Sequence, residues 1–62
     1  MLRDVVAVNI DSNEVRVLAE EKTPENAEAI VAMAVARRGF NEEFFADVKH
    51  GRYHNGDKWE GK

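Results

Sequence analysis

Asp4 to Ile10 reads D-V-V-A-V-N-I, and Glu14 to Ala19 reads E-V-R-V-L-A. Both runs are short, valine-rich and alternating, which predicts two β-strands. In the first, Val6, Val8 and Ile10 share one face, and Val5, Ala7 and Asn9 the other. In the second, Val15, Val17 and Ala19 share one face, and Glu14, Arg16 and Leu18 the other. The turn formers Asp11, Ser12 and Asn13 separate them. An antiparallel hairpin pairing Ile10 with Val15, Val8 with Val17 and Val6 with Ala19 brings the apolar faces together. A one-residue slip would set Val8 against Arg16, so the in-phase register is expected. It leaves an even loop centred on Ser12 and Asn13, with Asn13 suited to a left-handed backbone.

After the polar link Glu20-Glu21-Lys22 the periodicity changes. Thr23-Pro24-Glu25-Asn26 is a helix start: the Thr23 hydroxyl can accept from an orphan amide of the first turn, and Pro24 fits a first-turn position that needs no N–H. Glu25 and Glu28 suit the positive end of the helix dipole, and Arg37 and Arg38 the negative end. Gly39 can end the helix in a left-handed conformation, with Phe40 folding back on Val35. The helix is therefore expected over residues 24–38. Its centre, Ala29 to Ala36, is A-I-V-A-M-A-V-A, an unbroken apolar run. At about 100° per residue, Ala27, Ile30, Val31, Ala34 and Val35 form a stripe for the sheet. The other side is Ala29, Ala32, Met33 and Ala36, with Glu25 at its start, and its two middle turns carry no charge.

Phe44 to Val48 reads as a third strand, with Phe44, Ala46 and Val48 on one face and Phe45 and Asp47 on the other. Beyond Lys49 the pattern weakens. Asn55-Gly56 is a type I′ hairpin signal that would pair Lys58-Trp59 back toward Arg52-Tyr53 as a short fourth strand. Residues 60–62 are expected to fray. The order β-β-α-β, with or without that fourth strand, predicts one small α+β domain over residues 1–62: an antiparallel hairpin and a third strand, with the helix on the face that bears Val6, Val8, Ile10, Val15 and Val17.

Composition narrows what such a domain can be. A chain of 62 residues forms a marginal core, and it has no cysteine with which to make disulfides or thiolate metal sites. Apolar residues make up 44%, enough to fold, but eight of them are alanine. Stabilisation by association is therefore expected. Net charge is −3, which does not favour a polycation built for phosphate backbones. The N-terminus lacks the apolar core and cleavage site of a secretory signal, and no apolar run approaches the length of a membrane span. The expected location is cytoplasmic, with no membrane partner.

Candidate chemistry is sparse. His50 and His54, with Asp47 and Asp57, suggest a metal through H-x-x-x-H, a spacing that works on a helix. Gly51 and Asn55-Gly56 argue against a helix there, and on a strand the histidines would stand about 13 Å apart. No metal and no cofactor is expected. The lone serine, Ser12, falls in the hairpin turn and Thr23 is the helix cap; no phosphate loop or nucleophile elbow occurs, so no catalysis is expected. Glu20, Glu21, Glu42 and Glu43 read as a solvated surface that could also steer the chain to a basic partner.

The leading expectation is a small protein-interaction module, self-associating as a homodimer or docking on a larger protein. The contact would use Ala29, Ala32, Met33 and Ala36, whose small side chains permit close helix approach, or a strand edge. Two rival accounts of that helix face are water, which alanines tolerate, and a cover of Tyr53 and Trp59. Size, acidity and lack of catalytic motif match the style of phage and mobile-element accessory proteins. The alternative is weak nucleic-acid binding through the basic, aromatic segment of Lys49, Arg52, Tyr53, Lys58 and Trp59, by phosphate contact and base stacking.

Overall fold

A computed structural model describes residues 1–37 and 41–61. The elements are β1 (Arg3–Asn9), β2 (Val15–Lys22), α1 (Pro24–Arg37) and β3 (Glu42–Lys49), so the expected α+β order holds. The sheet order is β2-β1-β3, both pairings antiparallel. β2 and β3 therefore run parallel to each other, and α1 is the crossover that carries the chain past β1. The expected ending of the helix on Gly39 and Phe40 lies outside the described residues.

β1 is central because its side chains suit burial on both faces. Val5, Val6, Ala7 and Val8 are all buried, as a middle strand with layers above and below requires. Val6 and Val8 face Val15 and Val17 of β2, and join Val48 and Tyr53 in a cluster flanked by Phe45 and Trp59. No helix residue belongs to that cluster. By alternation Val5 and Ala7 point the other way, and Phe44, opposite Ala7, shares their face. That is the side α1 covers, through buried Ala27 and half-buried Ile30, Val31 and Ala34. The helix lies chiefly over β3. The expectation that Val6, Val8, Ile10, Val15 and Val17 face the helix is thus overturned: the four valines face the C-terminal segment, and Ile10 is exposed in the turn.

The hairpin register differs from expectation by two residues. Val8 pairs with Val15, Ala7 with Arg16 and Val6 with Val17. The loop is even, as expected, but it is Ile10 to Asn13, and Ile10 is 56% exposed. Asn9 fixes where the turn begins. Its Oδ1 accepts the amides of Asp11 (2.9 Å) and Ser12 (3.0 Å), its carbonyl accepts the Asn13 amide (2.7 Å), and its amide donates to Glu14 O (2.9 Å). A two-residue slip preserves every face, so alternation alone could not see it. Asn13 does adopt the left-handed backbone, at φ 63°.

Both ladders are irregular where β1 begins. Val5 pairs with Ala19 and Arg3 with Lys22 on one side; Asp4 pairs with Val48 and Arg3 with Lys49 on the other. The extra residue in β3 brings Val48 onto the face of Phe45, against the expected alternation.

The C-terminal segment, 50–61, is a strap rather than a fourth hairpin strand. Asn55-Gly56 does turn the chain, with Asp57 N–H donating to His54 O at 3.1 Å. Only Gly56 has positive φ (90°), so the turn is not the I′ type. The outgoing limb does not return to Arg52-Tyr53. It runs along the outer edge of β2, where Val15 N–H donates to Asp57 O (2.8 Å), Gly56 N–H to Val15 O (2.9 Å) and Trp59 N–H to Asn13 O (2.9 Å). Lys58 makes an antiparallel bridge with Glu14. The strap then lays Tyr53 and Trp59 over the valine face, and Trp59 stacks on Phe45 (4.4 Å between centroids) and on Tyr53 (5.0 Å).

Candidate functional site

The N-terminal cap that orients α1 forms as expected: Thr23 Oγ1 accepts the Asn26 amide at 3.3 Å, and Thr23 O accepts the Ala27 amide at 2.8 Å. With Ala27 turned to the sheet, Ala29, Ala32, Met33 and Ala36 face outward and are exposed. Met33 is 59% exposed and Val35 45%. Val35 was expected in the sheet-facing stripe; it lies on its margin and widens the uncovered apolar surface. Tyr53 and Trp59 do not cover this surface, because both are committed to the sheet. Glu25 lies in the first turn of α1, in line with this face, and Arg37 lies in the last turn, beside it.

The five residues of the nucleic-acid alternative are not arranged as a stacking platform. Tyr53 is buried, and its hydroxyl donates to Gly61 O while accepting the Glu60 amide. Trp59 is stacked on Tyr53 and Phe45. Arg52 lies over the Tyr53 ring, 4.4 Å from its centroid, and pairs with Glu60 at 3.2 Å. Lys58 Nζ donates to Ser12 O at 3.1 Å. Lys49 is at the end of β3, on the other side of the sheet from the Lys58 bridge. Base stacking needs open ring faces, and these rings spend their faces on the core.

The most developed polar site is one the sequence reading passed over. Asp4 sits inside the apolar run of β1 and is 1% exposed. Its Oδ1 accepts the Glu21 amide (3.1 Å) and contacts His50 Nδ1 (2.8 Å); its Oδ2 accepts the Gly51 amide (3.1 Å). Burial pushes its pKa up, but the hydrogen bonds from His50, Glu21 and Gly51 outweigh burial and hold the carboxyl below its ordinary 3.8. His50 is raised above its ordinary 6.5, first by the hydrogen bond to Asp4, against partial desolvation, and further by the charges of Asp4, Glu21 and Glu20. Glu21 Oε1 lies 3.7 Å from His50 Nε2. The visible signal was an aspartate at a position whose neighbours, Val5 to Val8, are all apolar.

The two histidines stand apart in their partners: His50 meets Asp4 and Glu21, whereas His54 Nδ1 lies 3.8 Å from Asp57. Among the described residues no group of three or more histidine and carboxylate side chains is placed to hold a metal. An open depression of about 400 Å³ lies beside the hairpin, lined by Ala7, Asn9, Arg16, Glu42, Asn55 and Gly56, and Arg16 and Glu42 pair with each other there at 2.9 Å. No described helix is long and apolar enough to cross a membrane. Comparison with known protein families, curated proteins and solved structures finds no match to this chain.

Proposed function

We propose that this chain is a small, non-catalytic interaction module that pairs with a second copy of itself through the outer face of α1. The observation that carries the reading is the surface of Met33, Val35, Ala29, Ala32 and Ala36, apolar across the middle turns and left open by a strap that packs elsewhere. A helix that is apolar nearly all round is ordinarily buried nearly all round. Alanine at three of the outward positions lets a second helix come close, and Met33 fills an uneven gap. The ends favour antiparallel pairing: Glu25 of one copy approaches Arg37 of the other, and the helix dipoles oppose. Size, acidity and the absence of a catalytic motif support an accessory role of the phage or mobile-element kind. The cysteine-free sequence suits a reducing cytoplasm.

The test is sedimentation velocity from low to high micromolar concentration. A concentration-dependent dimer is expected, and Ala32→Glu should return it to monomer while leaving the helical circular dichroism intact. A monomer throughout, or a dimer that survives Ala32→Glu, rejects the reading.

A further inference from the structure

Asp4 lies where the strap leaves the sheet. Its three donors come from two other segments: the Glu21 amide near the end of β2, and His50 and the Gly51 amide just past β3. Glu21 (φ 54°) and Gly51 (φ 83°) both hold the left-handed conformation, which for a glutamate is unfavourable and turns its amide onto the carboxylate. From Gly51 the chain has only Arg52, whose amide donates to Lys49 O at 3.0 Å, before Tyr53 enters the core. The orientation of the strap is therefore set at Asp4.

We propose that Asp4, His50 and Glu21 form a proton-controlled clasp on the strap: with His50 protonated the strap is held on the edge of β2, and with His50 neutral it opens more readily, baring that edge and the valine face beneath it. The His50 ring is 44% exposed and exchanges protons with solvent. Three carboxylates bear on it, Asp4 from β1 and Glu20 and Glu21 from β2. The cations at this end of the sheet, Arg3, Lys22 and Lys49, occupy neighbouring register positions. Protonated, the ring donates a charge-assisted hydrogen bond to Asp4 and presents its second N–H toward Glu21. Neutral, it can donate one N–H to Asp4 but loses the attraction to all three carboxylates. Opening the strap removes His50 from Asp4, so the proton is held more tightly in the closed form; its raised affinity there agrees. Linkage then ties opening to pH: the opening constant rises as pH climbs through the titration of closed His50.

Amide hydrogen exchange on the intact chain, corrected for intrinsic rates and measured beside an NMR titration of His50, tests the proposal. The amides of Val15, Val17, Gly56 and Trp59 report the strap, and the β1–β3 ladder reports the rest of the sheet. Strap protection should fall as His50 loses its proton, by about tenfold for each pH unit by which its measured pKa exceeds the ordinary value, while the ladder keeps its protection. In His50→Asn, which keeps a donor near Asp4 but takes up no proton, strap protection should not vary across the pH range in which His50 titrates in the parent chain. A strap indifferent to the His50 titration, a pH dependence over that same range that persists in His50→Asn, or equal loss across strap and ladder overturns it.

Discussion

The side chain of Asn55 takes the place of a strand beside Val17: its Oδ1 accepts the Val17 amide at 2.7 Å, on the edge where the backbone ladder of the strap gives out. β2 would otherwise present an open row of donors and acceptors along this edge, a template for unwanted pairing. Asn55→Ala should cost about 1 kcal/mol of stability, the net worth of one such hydrogen bond. Asn55→Asp, which keeps an acceptor, should lose less. Urea denaturation of the two variants checks the order.

Asn13 has two duties that substitution can separate. It holds φ 63°, and its Nδ2 donates to Trp59 O at 2.8 Å. Asn13→Gly removes the anchor but keeps the backbone conformation, at a cost of about 1 kcal/mol. Asn13→Ala loses the anchor and also the asparagine side chain's tolerance of the left-handed region, where alanine stands about 1 kcal/mol worse than glycine. Equal midpoints in urea for the two variants would contradict this account.

Trp59→Ala removes the ring stacked on both Phe45 and Tyr53. A loss of about 3 kcal/mol is expected, close to the whole stability of a small domain at the low end of about 0.05 kcal/mol per residue. The variant should be about half unfolded near room temperature, and Trp59→Phe should remain folded with a lowered melting temperature. Because the Trp59 ring is engaged, single-stranded oligonucleotides should leave its fluorescence unchanged at low salt.

Stability should peak in the mildly acid range. Asp4 is depressed in the folded state, so its contribution is present above the ordinary 3.8 and is lost as pH falls through its lower folded value. His50 is raised, so its contribution is full below the ordinary 6.5 and is lost as pH rises through its higher folded value. Urea midpoints measured across pH should form a plateau between the two, declining on each side. Asp4→Ala should flatten both limbs and lower the plateau, since it leaves the Glu21 and Gly51 amides without their acceptor.

Local chemistry was legible in the sequence wherever one residue decides it. Thr23 and Pro24 announce the start of α1, Asn13 its left-handed turn, and the outward position of Ala29, Ala32, Met33 and Ala36 follows from helical spacing. Choices among equivalent alternatives were not legible. β1 is apolar on both faces, so Val5-Val6-Ala7-Val8 accepts the helix on either side. The decision rests on Tyr53 and Trp59, which claim the face of Val6 and Val8 from far along the chain. Likewise the two-residue slip of the hairpin depends on Asn9 closing its own turn, an acceptor role that alternation does not encode. The Asp4 site needed the tertiary fold, since its partners come from the far ends of β2 and β3.

The central position of β1 also bears on how the molecule folds. Val6 meets Val17 across a tight turn, but it meets Phe45 only after α1 has crossed the sheet. Hairpins close within about 10 microseconds, so β1 and β2 can zip early, yet that ribbon alone buries neither face. Commitment awaits the arrival of β3 and the strap, whose pairings span most of the chain and carry the entropy of closing large loops. Folding speed should therefore respond to substitutions in β3, such as Phe45→Leu, more than to changes of similar severity in the Asp11-Ser12 turn. The expected rate-limiting event is the closure of the sheet around its own first strand.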